Sequence, residues 1–405
     1  MRWQAVIALA FGGIALISLA TIAVPIFDEV HYLPAARDWL AGEGLRNTEH
    51  PLLAKQLMAV GIAMFGDNPW GWRLGSVLFG TLGLFAAMRA VWLASASRFA
   101  SLATGFLIAS SFPYFETARI AMLDIYMLAF AMLGTWAVVA ASRAASRGGE
   151  RWRLVLAGVL FGLAMSCKWS VAPLIGFALP AYLFARQWMQ RAGHTGWIET
   201  AAWLWGVSGA VYLAHFMTIA LLADPPPEWS DPLSWQWRMY ELQASVKETH
   251  TYMSNWWHWI ANWRAIWYYY DAYAGAQRGI LFVGHPLTSL AALPALLVAF
   301  RYGWRQRRGA MFAAACGWAA SLSIWVVAPK PVQFSYHYLL PAMFAMMTLA
   351  LVLDAFVWRT RHRAWAITFL VATALLFAYF FPVLAGTPLA GKMSFLDYAW
   401  LPSWR

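Results

Sequence analysis

Eleven stretches of mostly apolar residues, separated by short polar turns, run along this 405-residue chain. A helix that crosses a bilayer needs about 20 such residues. The stretches fall near residues 4–24, 73–93, 99–115, 120–141, 154–166, 169–184, 201–222, 279–300, 310–328, 338–358 and 364–384. Two of them, 154–166 and 169–184, are short, and their ends are the least defined. Only 12% of the residues are charged and 61% are hydrophobic, with 27 tryptophans. Water-soluble domains carry about twice that share of charge. A disordered chain is excluded as well, because it needs low hydrophobicity and high net charge. The expected fold is an all-α polytopic membrane protein, a single integral membrane domain over residues 1–405. The first stretch is long and lacks a small-residue cleavage site, so it reads as a retained anchor. Cys167 and Cys316 are too few for a disulfide framework or a Cys-based metal site.

The net charge of +11 is distributed by side. With a cytoplasmic N-terminus and eleven alternating spans, the cytoplasmic turns hold Arg2, Arg98, Arg143, Arg147, Arg151, Arg153, Arg186 and Arg191. They also hold Arg301, Arg305, Arg307, Arg308, Arg359, Arg361 and Arg363. Every cytoplasmic turn then follows the positive-inside bias, and the C-terminus lies outside. Two long segments face the outer side, 25–72 and 224–278. Residues 30–40 and 52–65 are apolar on one helical face and too short to span, which suits helices lying in the interface. The second segment holds Trp229, Trp235, Trp237, Trp256, Trp257, Trp259, Trp263 and Trp267, with six tyrosines. An interfacial belt explains part of this; a floor over a lipid-facing site explains the rest.

Ionisable groups kept at a membrane despite their cost mark function. Asp28 and Glu29 follow the first stretch directly. Adjacent carboxylates on a short loop point in different directions, so one can act while the other orients. Asp28 could instead cap the helix that begins near Val30. The pair has company: Glu49, His50 and Lys55 lie in the same loop, and Arg73 opens the second stretch. Arg119 and Asp124 lie at the outer end of the fourth, and Lys168 in the next outer turn. His285 lies just inside the eighth stretch, and His337 opens the tenth. All of these fall on the outer side. A carboxylate can take the proton of an acceptor hydroxyl, while guanidinium and ammonium groups hold a phosphate leaving group. That chemistry fits a sugar donor on a polyprenyl phosphate. Plain anchoring of Arg73, Arg119 and Lys168 at the interface is the competing reading.

At these residues the chain resembles the protein O-mannosyltransferase family, polytopic enzymes of the C-type glycosyltransferase fold. Asp28-Glu29-Val30-His31 matches the first-loop motif of that family, and His50-Pro51-Leu52-Leu53-Ala54-Lys55 matches a second element. Gly71-Trp72-Arg73-Leu74-Gly75-Ser76, Ser166-Cys167-Lys168-Trp169-Ser170 and Arg264-Ala265-Ile266-Trp267-Tyr268-Tyr269-Tyr270 continue the likeness. So do His250-Thr251-Tyr252, Gly284-His285-Pro286 and Tyr336-His337-Tyr338. The resemblance implies inverting transfer of mannose from a polyprenyl-phosphate donor to a Ser or Thr hydroxyl outside the bacterial cytoplasmic membrane. It implies Asp28 as catalytic base, Glu29 as an orienting group and Glu49 near a second acidic position. Arg73 would meet the donor phosphate, with Lys168, Arg119 and Arg264 as further candidates. His31, His50, Lys55, Asp124, His285 and His337 would line the substrate site. Members of the family can pair as dimers.

Three departures stand out. His-Pro-Leu replaces His-Pro-Pro, with Glu49 directly before the histidine. His285 stands where many members have Asn, and the 224–278 loop has no room for a soluble lumenal domain. These bear on the acceptor, which could be a lipid or glycan hydroxyl. An aminoarabinose-type transferase acting on lipid A shares the fold and is the nearest alternative. A lipid-linked-substrate transporter would place its charges near the midplane in related halves, and a scaffold gives no reason for the outer cluster. No cofactor is required. His31, Glu49 and His50 could form a loose divalent-cation site, but their spacing does not demand one.

Overall fold

The computed structural model describes residues 1–189, 193–221, 232–245, 250–327, 330 and 332–405. Arg191 and Trp229 of the sequence reading lie outside the described residues. Among the described residues, eight helices are long and apolar enough to cross a membrane. They are Pro69–Ser95, Leu123–Ala141, Trp169–Trp188, Trp197–Leu221, Pro286–Arg305, Gly309–Val327, Ser335–Trp358 and Arg363–Ala385. The chain is a multi-pass integral membrane protein built mainly of helices.

The other three expected spans take a different form. Arg147–Cys167 has the length, but Arg147, Glu150, Arg151 and Arg153 occupy its first two turns. The 99–115 stretch divides into Arg98–Ala109 and Phe112–Thr117. Pro113 causes the division, since its ring displaces the carbonyl four residues back and its nitrogen cannot donate. The first stretch is helical only over Arg2–Ala15. Beyond it the backbone turns, with Ser18 at φ 57°, and its carbonyls become available to other groups.

The two interfacial segments form helices Glu29–Ala41 and Leu53–Phe65. Within the second long segment the all-α expectation fails. Ile266–Tyr273 and Ala276–Phe282 form an antiparallel hairpin, so the span expected from residue 279 begins at Pro286. Ala274 and Gly275, at φ 50° and 77°, make the left-handed two-residue turn that tight hairpins require. The run of Ile, Trp and Tyr before it is strand-forming sequence. A bulge between Trp267 and Tyr269 buries Tyr268, which stacks on Phe27 at 4.1 Å and Phe282 at 5.0 Å.

The bundle has two chemically different ends. Asp124, Lys168, Lys330 and His337 lie at one end of their helices, while Arg143, Arg186, Arg305 and Arg359 lie at the other. The helix Glu29–Ala41 brings Asp28 to the first of these ends.

Candidate active site

Asp28 and Glu29 part company where the helix Glu29–Ala41 starts. Glu29 is fully buried, and its Oε1 accepts from Ala121 N at 2.8 Å and Arg73 Nε at 2.9 Å. Its Oε2 accepts from Ile26 N at 2.8 Å and Arg73 Nη2 at 2.7 Å. Arg73 completes its set on the carbonyls of Leu19, Ile22 and Val24. A guanidinium carries five N–H donors, and here all five are engaged within the protein. The early end of the first helix is what frees those carbonyls. Arg73 and Glu29 thus form a buried brace behind the site, and the arginine keeps no donor for a phosphate.

Asp28 occupies the N-cap position, yet its carboxylate caps no backbone N–H among the described residues. Its Oδ2 accepts from the Tyr32 hydroxyl one turn on, at 3.3 Å, and Tyr336 interacts with it as well. Phe27 sets this direction with a φ of 51°, a conformation costly for a bulky residue and held by its stacking on Tyr268. Burial lifts the Asp28 carboxyl above the ordinary carboxylate range. Lys168 opposes that rise and Asp124 adds to it.

Lys168 stands in extended backbone between two helices. Its ammonium donates to both oxygens of Asp124, at 2.9 and 2.7 Å, and lies 5.0 Å from the centre of the Tyr336 ring. It also lines a cavity of about 170 Å³ with His50, Lys330, His337, Trp169 and Tyr240. The cavity walls therefore carry two ammonium groups and two imidazoles. Asp124 neutralises Lys168, whereas Lys330 has no ion-pair partner among the described residues. Burial, with Lys168 adding, pushes the Lys330 ammonium down to about 8, against the pull of Asp28, Asp124 and Glu49. Burial likewise keeps the His50 imidazole well below its ordinary value. His337 Nδ1 accepts from Phe334 N at 3.1 Å and its ring stacks on Trp325 at 3.9 Å.

The remaining residues hold the frame or stand elsewhere. Lys55 is buried beneath the first loop and donates to the carbonyls of Asn47 and His50, at 2.5 and 2.9 Å. Its burial brings the ammonium down to about 7 despite Glu49. Glu49 accepts from Asn47 Nδ2 at 2.6 Å, and its carbonyl accepts from Gln243, tying the loop to helix Pro232–Ser245. His31 is exposed and lies within electrostatic reach of Asp28. Arg119 donates to the carbonyls of Ala15 and Ala385, holding the end of the first helix. His285 caps Pro286–Arg305 and meets the Thr373 carbonyl at 3.1 Å. Arg264 donates to the Thr251 carbonyl and lines a different cavity. Among the described residues, no group of three or more His, Cys, Asp or Glu could hold a metal ion.

Tyr32, Lys330 and Tyr240 escaped the sequence reading, and Tyr336 entered it only within the Tyr336-His337-Tyr338 stretch, without a role of its own. Lys330 had a signal: it is one of five lysines, set between two prolines at the outer end of an apolar stretch. Tyr32 and Tyr240 had none, since aromatic residues are abundant along this chain.

The profile of the family described as dolichyl-phosphate-mannose-protein mannosyltransferase matches residues 64–221. That of the C-terminal four-transmembrane region of protein O-mannosyltransferase matches residues 228–404. The chain belongs to the protein O-mannosyltransferase family. It is a membrane glycosyltransferase. A polyprenol-phosphate-mannose–protein mannosyltransferase of Mycobacterium tuberculosis is 27% identical over 96% of this chain and 88% of its own length. Among solved structures, the fold matches the Saccharomyces cerevisiae protein O-mannosyltransferase Pmt1-Pmt2 complex bound to the sugar donor, with a TM-score of 0.83. That likeness covers 100% of this chain and 92% of the other at 14% identity. ArnT from Cupriavidus metallidurans bound to undecaprenyl phosphate matches less closely, with a TM-score of 0.63 and 19% identity. That match covers 92% of this chain and 62% of the other.

Proposed function

We propose that this enzyme transfers mannose, with inversion, from a polyprenyl-phosphate donor to a Ser or Thr hydroxyl of a protein, outside the cytoplasmic membrane. The observation that carries this reading is Asp28, whose carboxylate caps no backbone N–H among the described residues and lies within electrostatic reach of Lys168 and Lys330, two walls of the same cavity. Base and leaving-group cations are then present together. The acceptor O–H gives its proton to Asp28 as its oxygen bonds to the anomeric carbon. The bond from that carbon to the phosphate oxygen breaks, and the phosphate leaves onto the ammonium groups. Tyr32 and Tyr336 orient the carboxylate, Asp124 fixes Lys168, and Glu29 with Arg73 braces the loop. The names of the sequence relatives support mannose and a protein acceptor; the location of the arginines at the opposite end supports an outward-facing site.

Labelled polyprenyl-phosphate mannose, incubated with purified enzyme and cell-envelope proteins and lipids, tests the acceptor. Label in protein upholds the proposal. Label in lipid alone overturns the protein acceptor in favour of an aminoarabinose-type reaction on a lipid.

Lys330 gives a pH signature. A phosphate needs its ammonium form, so kcat/KM for the donor is expected to fall as pH rises through about 8. Lys330→Arg, which stays charged, should carry the plateau to higher pH, and Lys330→Ala should raise the donor KM about tenfold or more. An alkaline limb unchanged in Lys330→Arg would remove the lysine from donor binding. We also propose that the ammonium groups suffice for the phosphate, so transfer should persist in excess EDTA. Loss of activity restored by one divalent ion would reverse that.

A further inference from the structure

A second cavity, of about 40 Å³, lies beside the short helix Trp256–Ile260 and the start of Pro286–Arg305. Among the described residues it shares no wall with the Lys168 cavity. Arg264, Ser111, Ser289 and Ser335 supply polar groups, while Ala292 and Met346 continue the wall along apolar helices. No acidic side chain lines it among the described residues.

Two of its polar atoms are anomalous. Arg264 Nε and Ser335 Oγ are buried and find no hydrogen-bond partner among the described residues. A buried donor on a cation is expensive to leave unmatched, and native proteins rarely do so. The guanidinium is already fixed, because Nη2 donates to the Thr251 carbonyl. What the cavity offers is one cation and several hydroxyls converging from different elements, which asks for a ligand with several acceptor oxygens and negative charge. Its volume corresponds to about three waters, which is near the bulk of a phosphate group. The apolar continuation along the helices suits an ester substituent that descends toward the lipid.

We propose that this cavity is a second anion site, which takes a phosphate group on Arg264 Nε and the Ser335 hydroxyl. Its occupant is the headgroup of a membrane phospholipid or free phosphate, and it is distinct from the phosphate of the sugar donor. Binding there braces the Asn262–Gly284 contact, two hydrogen bonds of 2.8 Å that tie the turn after Trp256–Ile260 to the link between the hairpin and Pro286–Arg305. The site is independent of the roles assigned around Asp28.

The test uses full-length protein in maltoside micelles with three probes: inorganic phosphate, dilauroyl-phosphatidylglycerol and dilauroylglycerol. Binding is read as a saturable shift in thermal unfolding, repeated on Arg264→Gln, Ser335→Ala and Lys330→Ala. Phosphatidylglycerol, inorganic phosphate or both should bind the wild type and Lys330→Ala, and affinity should fall about tenfold or more in Arg264→Gln. Ser335→Ala, which removes a single hydroxyl, should weaken binding in the same direction and serves if Arg264→Gln does not fold. Binding of phosphatidylglycerol alone identifies a headgroup; binding of inorganic phosphate identifies the phosphate itself as sufficient. Four results would overturn the proposal. They are no binding of either phosphate probe, equal binding of dilauroylglycerol, affinity unchanged in the Arg264 and Ser335 variants, or affinity lost only in Lys330→Ala.

Discussion

Asp28→Asn is expected to lower turnover by about 10²- to 10⁴-fold, the range for loss of a positioned general base, while the protein folds and still takes up donor. The substitution is nearly isosteric. Tyr32 can still donate to the amide oxygen at the place where it now meets Oδ2, 3.3 Å away. The helix start is not at risk, because its first N–H groups do not depend on the Asp28 carboxylate. Donor binding should hold or tighten, since one negative charge that acts on Lys168 and Lys330 is removed. The variant therefore separates kcat from KM. The wild-type acid limb adds a second mark: kcat/KM should fall as pH drops through a value above the usual carboxylate range, because burial lifts this group. Single-turnover transfer from bound, labelled donor checks both. An Asp28→Asn enzyme that retains more than a tenth of wild-type turnover would remove Asp28 as the base.

Much of this arrangement was legible because charge is scarce in the chain. Asp28, Asp124, Lys168 and His337 stand out against an apolar background, and alternation of spans places them at one end. The adjacency of Asp28 and Glu29 predicted two carboxylates with different directions, and the structure turns one into the core and leaves the other uncapped. What failed depended on distance along the chain. Nothing near Arg73 announces that Glu29 and three carbonyls around residue 22 will take all its donors, because those carbonyls become free only when the first helix stops at Ala15. Arg119 is similar, reaching from residue 119 to the carbonyls of Ala15 and Ala385. The hairpin was missed for another reason. Its tyrosines read equally well as an interfacial belt, and the Ala274-Gly275 turn is a weaker signal than Asn-Gly.

The second large effect follows from Arg73. Arg73→Ala should destabilise the protein by about 3–5 kcal/mol, as expected when one partner of a buried ion pair is removed. Glu29 would be left charged at a fully buried position, with only the N–H groups of Ile26 and Ala121 to hold it. Glu29→Gln should cost less, because the amide keeps the shape and an acceptor oxygen. The double change of Glu29 and Arg73 to apolar residues should not recover wild-type stability. An ordinary buried pair can be replaced by hydrophobic packing, but here the carbonyls of Leu19, Ile22 and Val24 would lose their donors as well. Arg73→Lys distinguishes a brace from a phosphate contact. A lysine keeps the charge yet cannot reproduce five directed donors, so a brace predicts a clear drop in unfolding temperature with the donor KM of the folded fraction little changed. A phosphate contact predicts the reverse, with unchanged stability and a raised donor KM. Thermal unfolding and donor kinetics on the same preparation decide between them, and the second pattern would return Arg73 to the substrate.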